Sequence, residues 1–117
     1  MLNRVDRGLT IQPITPENGE KSLILKLSGR LVGEFAHLLK RAAEPVLISP
    51  TAPKIILDMT EVKYIDSTGI GVIISIIRNL RDRGGTMEIN GLNHAGIKLF
   101  DILNLTRLEC VVIDGNK

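Results

Sequence analysis

The chain has 117 residues, of which 44% are hydrophobic and 24% charged, a composition typical of one folded domain with its own core. Its 15 Lys and Arg nearly balance 13 Asp and Glu, and aromatic residues make up only 3% with no Trp, which argues against nucleic-acid binding. A single cysteine excludes an intramolecular disulfide or a thiol zinc cluster, and no run of 18 apolar residues occurs. We therefore expect a cytoplasmic protein that does not insert into a membrane.

Two segments near the start of the chain predict an antiparallel hairpin. Apolar and polar residues alternate over 9–14 and again over 22–28, as they do in half-buried strands. Asn18-Gly19 lies between them and tolerates the positive φ values of a tight hairpin turn. Pro13 lacks a main-chain donor, so we expect the first of these strands at a sheet edge.

The segments that follow alternate between helix and strand patterns. Apolar residues recur every three or four positions over 33–48, which predicts a surface helix. Pro50 and Pro53 end this helix, and a short apolar run over 54–58 predicts a buried strand. Further on, the patterns predict a helix over 67–83 closed by Gly84-Gly85, a strand over 86–90, a helix over 93–103 capped by a left-handed Asn104, and a strand over 108–113.

This order of elements predicts one α/β domain over 1–117. We expect a mixed sheet of four to five strands that opens with the hairpin and carries its helices mainly on one face. The core extends from about residue 9 to residue 113, and segments 1–8 and 114–117 are expected to be frayed tails.

The predicted helix over 67–83 is apolar over an unusually wide arc. On a helical wheel the arc covers roughly 200°, whereas about 100° is typical of a surface helix. Val72 and Ile76 extend this arc. Either they pack beneath the neighbouring helix, or they form an exposed docking edge that a partner protein covers.

The start of the same helix carries Asp66-Ser67-Thr68-Gly69. Asp, Ser and Thr are all good N-cap residues, so one interpretation is that these side chains only satisfy the free amides of the first turn. The alternative is that Ser67 is phosphorylated, because the positive end of a helix accommodates a phosphate. The added charge would expel a partner from the docking edge, with no catalytic group in the chain itself.

These residues resemble the signature of the STAS domain, found in bacterial anti-sigma factor antagonists. The resemblance rests on the strand at 55–58, the segment 62–65 and then Asp66-Ser67-Thr68-Gly69-Ile70-Gly71, and it spans about residues 9–113. It implies that Ser67 is the phosphorylated serine, with Thr68 as a lesser candidate.

The resemblance also implies partners. The unphosphorylated chain would bind an anti-sigma factor that is also a serine kinase, the phosphorylated chain would release it, and a serine phosphatase would restore binding. Transcription would thus be regulated indirectly, by a monomer or weak dimer without a cofactor or metal. In this mechanism Asp66 orients the helix start, Gly69 and Gly71 keep its first turn open to a kinase, and Val72, Ile76 and Arg78 contact the partner.

The chain departs from the family pattern at Val32. Family members often carry an acidic residue after Gly-x-Leu, whereas here Gly29-Arg30-Leu31 is followed by Val32. That acidic group would lie near the phosphorylated serine. The departure keeps a second interpretation open, a constitutive STAS docking subunit of a stress-signalling assembly or of a lipid-transport complex.

An enzyme is not expected. A phospho-receiver needs clustered carboxylates for Mg²⁺, whereas Asp58 is interpreted as a turn residue and Asp66 as a cap. A serine nucleophile needs a positioned base, and His37 and His94 have no orienting motif. Cys110 is predicted to be a small buried residue of the last strand.

Overall fold

The computed structural model describes residues 8–15, 22–48 and 53–114, together with the backbone of Arg4 and Val5. The predicted turn at Asn18-Gly19 and the predicted helix stop at Pro50 lie outside these residues. The described strands are β1 (Arg4–Val5), β2 (Leu9–Ile14), β3 (Ser22–Leu31), β4 (Lys54–Ile65), β5 (Thr86–Asn90) and β6 (Val111–Ile113). The described helices are α1 (Ala36–Leu47), α2 (Ser67–Asp82) and α3 (His94–Ile102), with 3-10 turns over Gly33–Phe35 and Leu105–Arg107.

The described strands form one mixed sheet in the order β1-β2-β3-β4-β5-β6. β1 and β3 both pair antiparallel with β2, whereas β3 through β6 are parallel to one another. The predicted α/β class, with an opening antiparallel pair and a mixed sheet, is confirmed. The strand count exceeds the expected four to five because β1 lies within segment 1–8, where a tail was expected.

Alternation along the central strands shows which face of the sheet is covered. Leu25 and Leu27 of β3 are fully buried, as are the register partners of Leu25 in β4 and β5, Leu57 and Ile89. The residues between them are only half-buried. This period-two pattern is that of a sheet with one face packed under helices, as predicted. α1 and α2 pack against each other and contribute to the same core.

Two strands differ from their predicted lengths. β4 continues beyond residue 58 to Ile65, so the predicted strand and the segment before the helix are one element. β6 begins only at Val111, because the amide of Val111 donates to the carbonyl of Leu108 and closes a turn there. Cys110 therefore precedes the last strand and is half-buried, so the prediction of a buried strand position is wrong.

No helix in the described part of the chain is both long enough and apolar enough to cross a membrane.

Candidate functional site

The candidate site is the junction between β4 and α2. β4 ends at Ile65, and α2 begins at Ser67 after Asp66, which has an extended backbone. Asp66 Oδ1 accepts a hydrogen bond from the amide of Gly69 at 2.9 Å. Asp66 is therefore the N-cap of α2, as predicted, because an N-cap carboxylate satisfies an amide that has no partner within the helix.

The second oxygen of Asp66 contacts a segment 33 residues away in sequence. Asp66 Oδ2 accepts a hydrogen bond from the amide of Gly33 at 3.0 Å, and the amide of Asp66 donates to the carbonyl of Leu31 at 3.4 Å. Gly33 has a φ of +52°, in the left-handed region that glycine adopts readily. These bonds fasten the connection between β3 and α1 to the start of α2.

The same hydrogen bonds explain the electrostatics of the cap. The Gly69 amide first, and then the Gly33 amide, hold the pKa of Asp66 below its ordinary value, because both bonds favour the charged carboxylate. Asp66 is thus an anion whose two oxygens both serve main-chain donors. Because Asp66 provides the cap, the hydroxyl groups of the two following residues take no part in capping the helix.

Ser67 and Thr68 are exposed at the first turn of α2. Among the described residues, neither hydroxyl has a hydrogen-bond partner. Helix capping accounts for Asp66 but not for Ser67, and the Ser67 hydroxyl faces solvent next to the positive end of a helix. The local geometry therefore leaves the Ser67 side chain accessible from solvent.

Gly69 has a packing role that the sequence analysis did not assign to it. It is buried, and a Cβ atom there would overlap with the carbonyl oxygen of Leu31. Glycine is required so that α2 can approach the end of β3. The expectation that Gly69 keeps the first turn open to a kinase is therefore wrong, whereas Gly71 is exposed.

The prediction of an exposed docking edge at Val72 and Ile76 is wrong. Val72 is only 7% exposed and Ile76 is fully buried. Both belong to the core cluster to which α1 also contributes, and α1 packs against α2. The wide apolar arc of α2 is covered from within the domain, whereas Arg78 on the same helix is exposed.

Two features of the site were missed. Tyr64, two residues before Asp66, is 63% exposed. The contact of the Leu31 and Gly33 main chain with α2 was missed as well. A glycine directly after a predicted strand signals a turn there, but not what the turn contacts.

Of the other candidate residues, the two histidines lie where the sequence placed them and Asp58 does not. His37 and His94 are both exposed, on α1 and at the first position of α3. Asp58 lies within β4, so its interpretation as a turn residue is wrong; its carboxylate accepts hydrogen bonds from the amide and hydroxyl of Thr60, at 3.0 and 2.6 Å. Within the described ranges, no three His, Cys, Asp or Glu side chains are grouped to hold a metal ion.

Comparison with known proteins gives a consistent result. A family profile described as the STAS domain matches residues 12–114. The anti-sigma-B factor antagonist of Listeria monocytogenes is 40% identical over 50 residues, 43% of this chain and 44% of that protein, so the match spans less than half the length of that relative. The anti-sigma-B factor antagonist of Bacillus subtilis is 27% identical over 89 residues, 76% of this chain and 80% of that protein.

The fold has solved counterparts. The structure of the Bacillus cell fate determinant SpoIIAA in its phosphorylated form superposes with a TM-score of 0.70 at 16% identity, covering 88% of this chain and 89% of that one. At this identity the similarity concerns the fold alone.

Proposed function

This chain belongs to the STAS domain family, and from that premise we propose that it is an anti-sigma factor antagonist gated by phosphorylation of Ser67. In the unphosphorylated state it binds an anti-sigma factor that is also a serine kinase. Phosphorylation releases that partner, and a serine phosphatase resets the switch. Sigma-factor activity is thereby regulated in the cytoplasm without catalysis by this chain.

The observation that carries the proposal is the exposed Ser67 hydroxyl beside a cap that does not use it. Asp66 alone bonds the Gly69 amide, so Ser67 can be modified without removing the N-cap of α2. A phosphate adds about −1.5 to −2 charges at pH 7. The helix dipole tolerates that charge, whereas a protein surface docked on Ser67 would have to bury it.

The similarities support the same function. Two of the relatives compared above are themselves named anti-sigma-B factor antagonists. SpoIIAA, which shares the fold, has been solved in unphosphorylated and phosphorylated forms.

Binding of wild type and three variants to anti-sigma kinases of the same genome tests the proposal. Wild type should bind and gain one phosphate after ATP is added, Ser67→Ala should bind without modification, and Ser67→Glu should lose binding. Thr68→Ala is the matched control, because it removes the adjacent exposed hydroxyl, and it should behave as wild type. Intact mass and calorimetric binding are the measurements.

The second interpretation, a constitutive docking subunit, predicts a different result in the same experiment. Val32, half-buried directly before Gly33, brings no carboxylate to the segment that contacts Asp66. If no kinase modifies wild type and all variants bind a common partner equally, the chain is a constitutive docking domain and the switch is refuted. Hydrolysis of ATP by the purified chain alone would refute the absence of catalysis.

A further inference from the structure

Gly71 occupies a position where the fold itself does not need glycine. It lies within α2 with a helical backbone, and it is exposed. Apart from its chain neighbours and the nearby backbone of α2, a Cβ atom added there would meet no atom within 4 Å. Glycine inside a helix is destabilising relative to alanine, because it loses more backbone freedom on folding. Neither backbone conformation nor internal packing explains this cost.

The other glycines of the described helices are different. A Cβ atom at Gly69 would overlap with the main chain of Leu31, and one at Gly96 would come within 3.0 Å of Leu92. Both residues are buried. Gly71 is thus the helical glycine of the described chain that packing leaves unexplained, and the remaining physical reason for a missing side chain is close approach from outside.

The charges of the exposed residues around Gly71 indicate what kind of partner surface approaches it. The exposed positions one turn on either side of Gly71 are Thr68 and Ser75, which are uncharged. Arg78 follows on the same side of α2, about 10 Å further along the axis. It is exposed and has no ion-pair partner among the described residues. A complementary surface is therefore flat and uncharged opposite Gly71 and acidic opposite Arg78.

We propose that Gly71 is a contact residue for the anti-sigma factor, whose main chain packs against the α2 backbone there and whose acidic side chain faces Arg78. This inference rests on the proposed function and assigns part of its binding surface. The contact begins one helical turn from Ser67, so a phosphate on Ser67 would lie at its border.

The variant Gly71→Ala should change stability and binding in opposite directions. Its Tm should rise by about 3–6 °C, because alanine favours the helix and meets no steric obstacle. Its affinity for the anti-sigma factor should fall about ten- to a hundredfold, and Gly71→Leu should fall further. Lys98→Ala, at an exposed position of α3, is the control: alanine also favours the helix there, and the position lies outside the proposed contact, so this variant should keep wild-type affinity.

Arg78→Glu tests the charged part of the contact against Arg107→Glu, an exposed control on the 3-10 turn after α3. Only Arg78→Glu should weaken binding, by about tenfold or more at low salt. If Gly71→Ala binds as wild type does, or lowers the Tm, the inference is refuted although the proposed function stands. If wild type binds no anti-sigma factor, the proposed function fails and this inference fails with it.

Discussion

Asp66 sets the geometry of the site at the scale of single residues. Its two carboxylate oxygens accept hydrogen bonds from Gly69 and Gly33, which lie three and 33 positions away. Because one carboxylate accepts both hydrogen bonds, it links the start of α2 to the segment that follows β3. Ser67, the neighbouring residue, is exposed directly beside this hydrogen-bonded junction.

The lowered pKa of Asp66 predicts a pH dependence of stability. The unfolded chain binds a proton near the ordinary aspartate pKa of about 3.9, whereas the folded chain binds it only at lower pH. The stabilising contribution of the carboxylate is therefore complete above that value and is lost as pH falls through the pKa of the folded state. Asp66→Asn keeps the shape but not the charge, so its stability should depend less on pH in this acid range.

Urea unfolding of both proteins from pH 7 down to about 3 measures this difference. Asp58, whose pKa the hydroxyl of Thr60 lowers, is present in both proteins, so the difference between them isolates Asp66. Parallel stability profiles over the whole range would contradict the role assigned to the charge.

The motif around Asp66 was predictable only in part. The N-cap followed from the sequence, because Asp directly before an apolar helical pattern is a local signal. The hydrogen bond from Gly33 could not be predicted from the sequence, because it depends on which loop the sheet brings close to that helix. Local chemistry thus predicted the Asp66 cap, whereas the packing role of Gly69 needed the position of Leu31, and phosphorylation of Ser67 stays a prediction.

At the scale of elements, a wide arc of the surface of α2 is buried in the core. The apolar arc was predicted correctly from the wheel, and the helix ends as predicted before Gly84-Gly85. What covers the arc was not predictable, since a wheel shows which residues share a face but not what packs on it. α1 packs against α2, and so Val72 and Ile76 lie inside the domain.

Ile76→Ala should therefore destabilise the fold. A fully buried isoleucine replaced by alanine leaves a cavity, and the expected loss in free energy of unfolding is about 2–4 kcal/mol. Ser75→Ala, at an exposed neighbouring position, should change the free energy of unfolding by about 0.5 kcal/mol or less. Denaturant melts of the two variants provide the comparison. An unchanged midpoint for Ile76→Ala would show that this part of α2 is not in the core.

At the scale of the whole molecule, the alternation of strand and helix patterns was sufficient to predict the fold class. Parallel strands joined by helices pack in few ways, and the opening alternating pair adds an antiparallel edge. The two-residue β1 was missed because it is too short to show a period. The sheet brings the loop after β3 beside the end of β4, and the candidate site lies at that edge.

In the proposed switch, phosphorylation of Ser67 removes the binding surface for the anti-sigma factor. The most direct measurement is the dissociation constant of the anti-sigma factor for fully phosphorylated and for unmodified protein, prepared from one batch. We predict binding weaker by about a hundredfold or more in the phosphorylated form, because the docked partner would have to bury a doubly charged group. Equal dissociation constants for the two forms would contradict the switch.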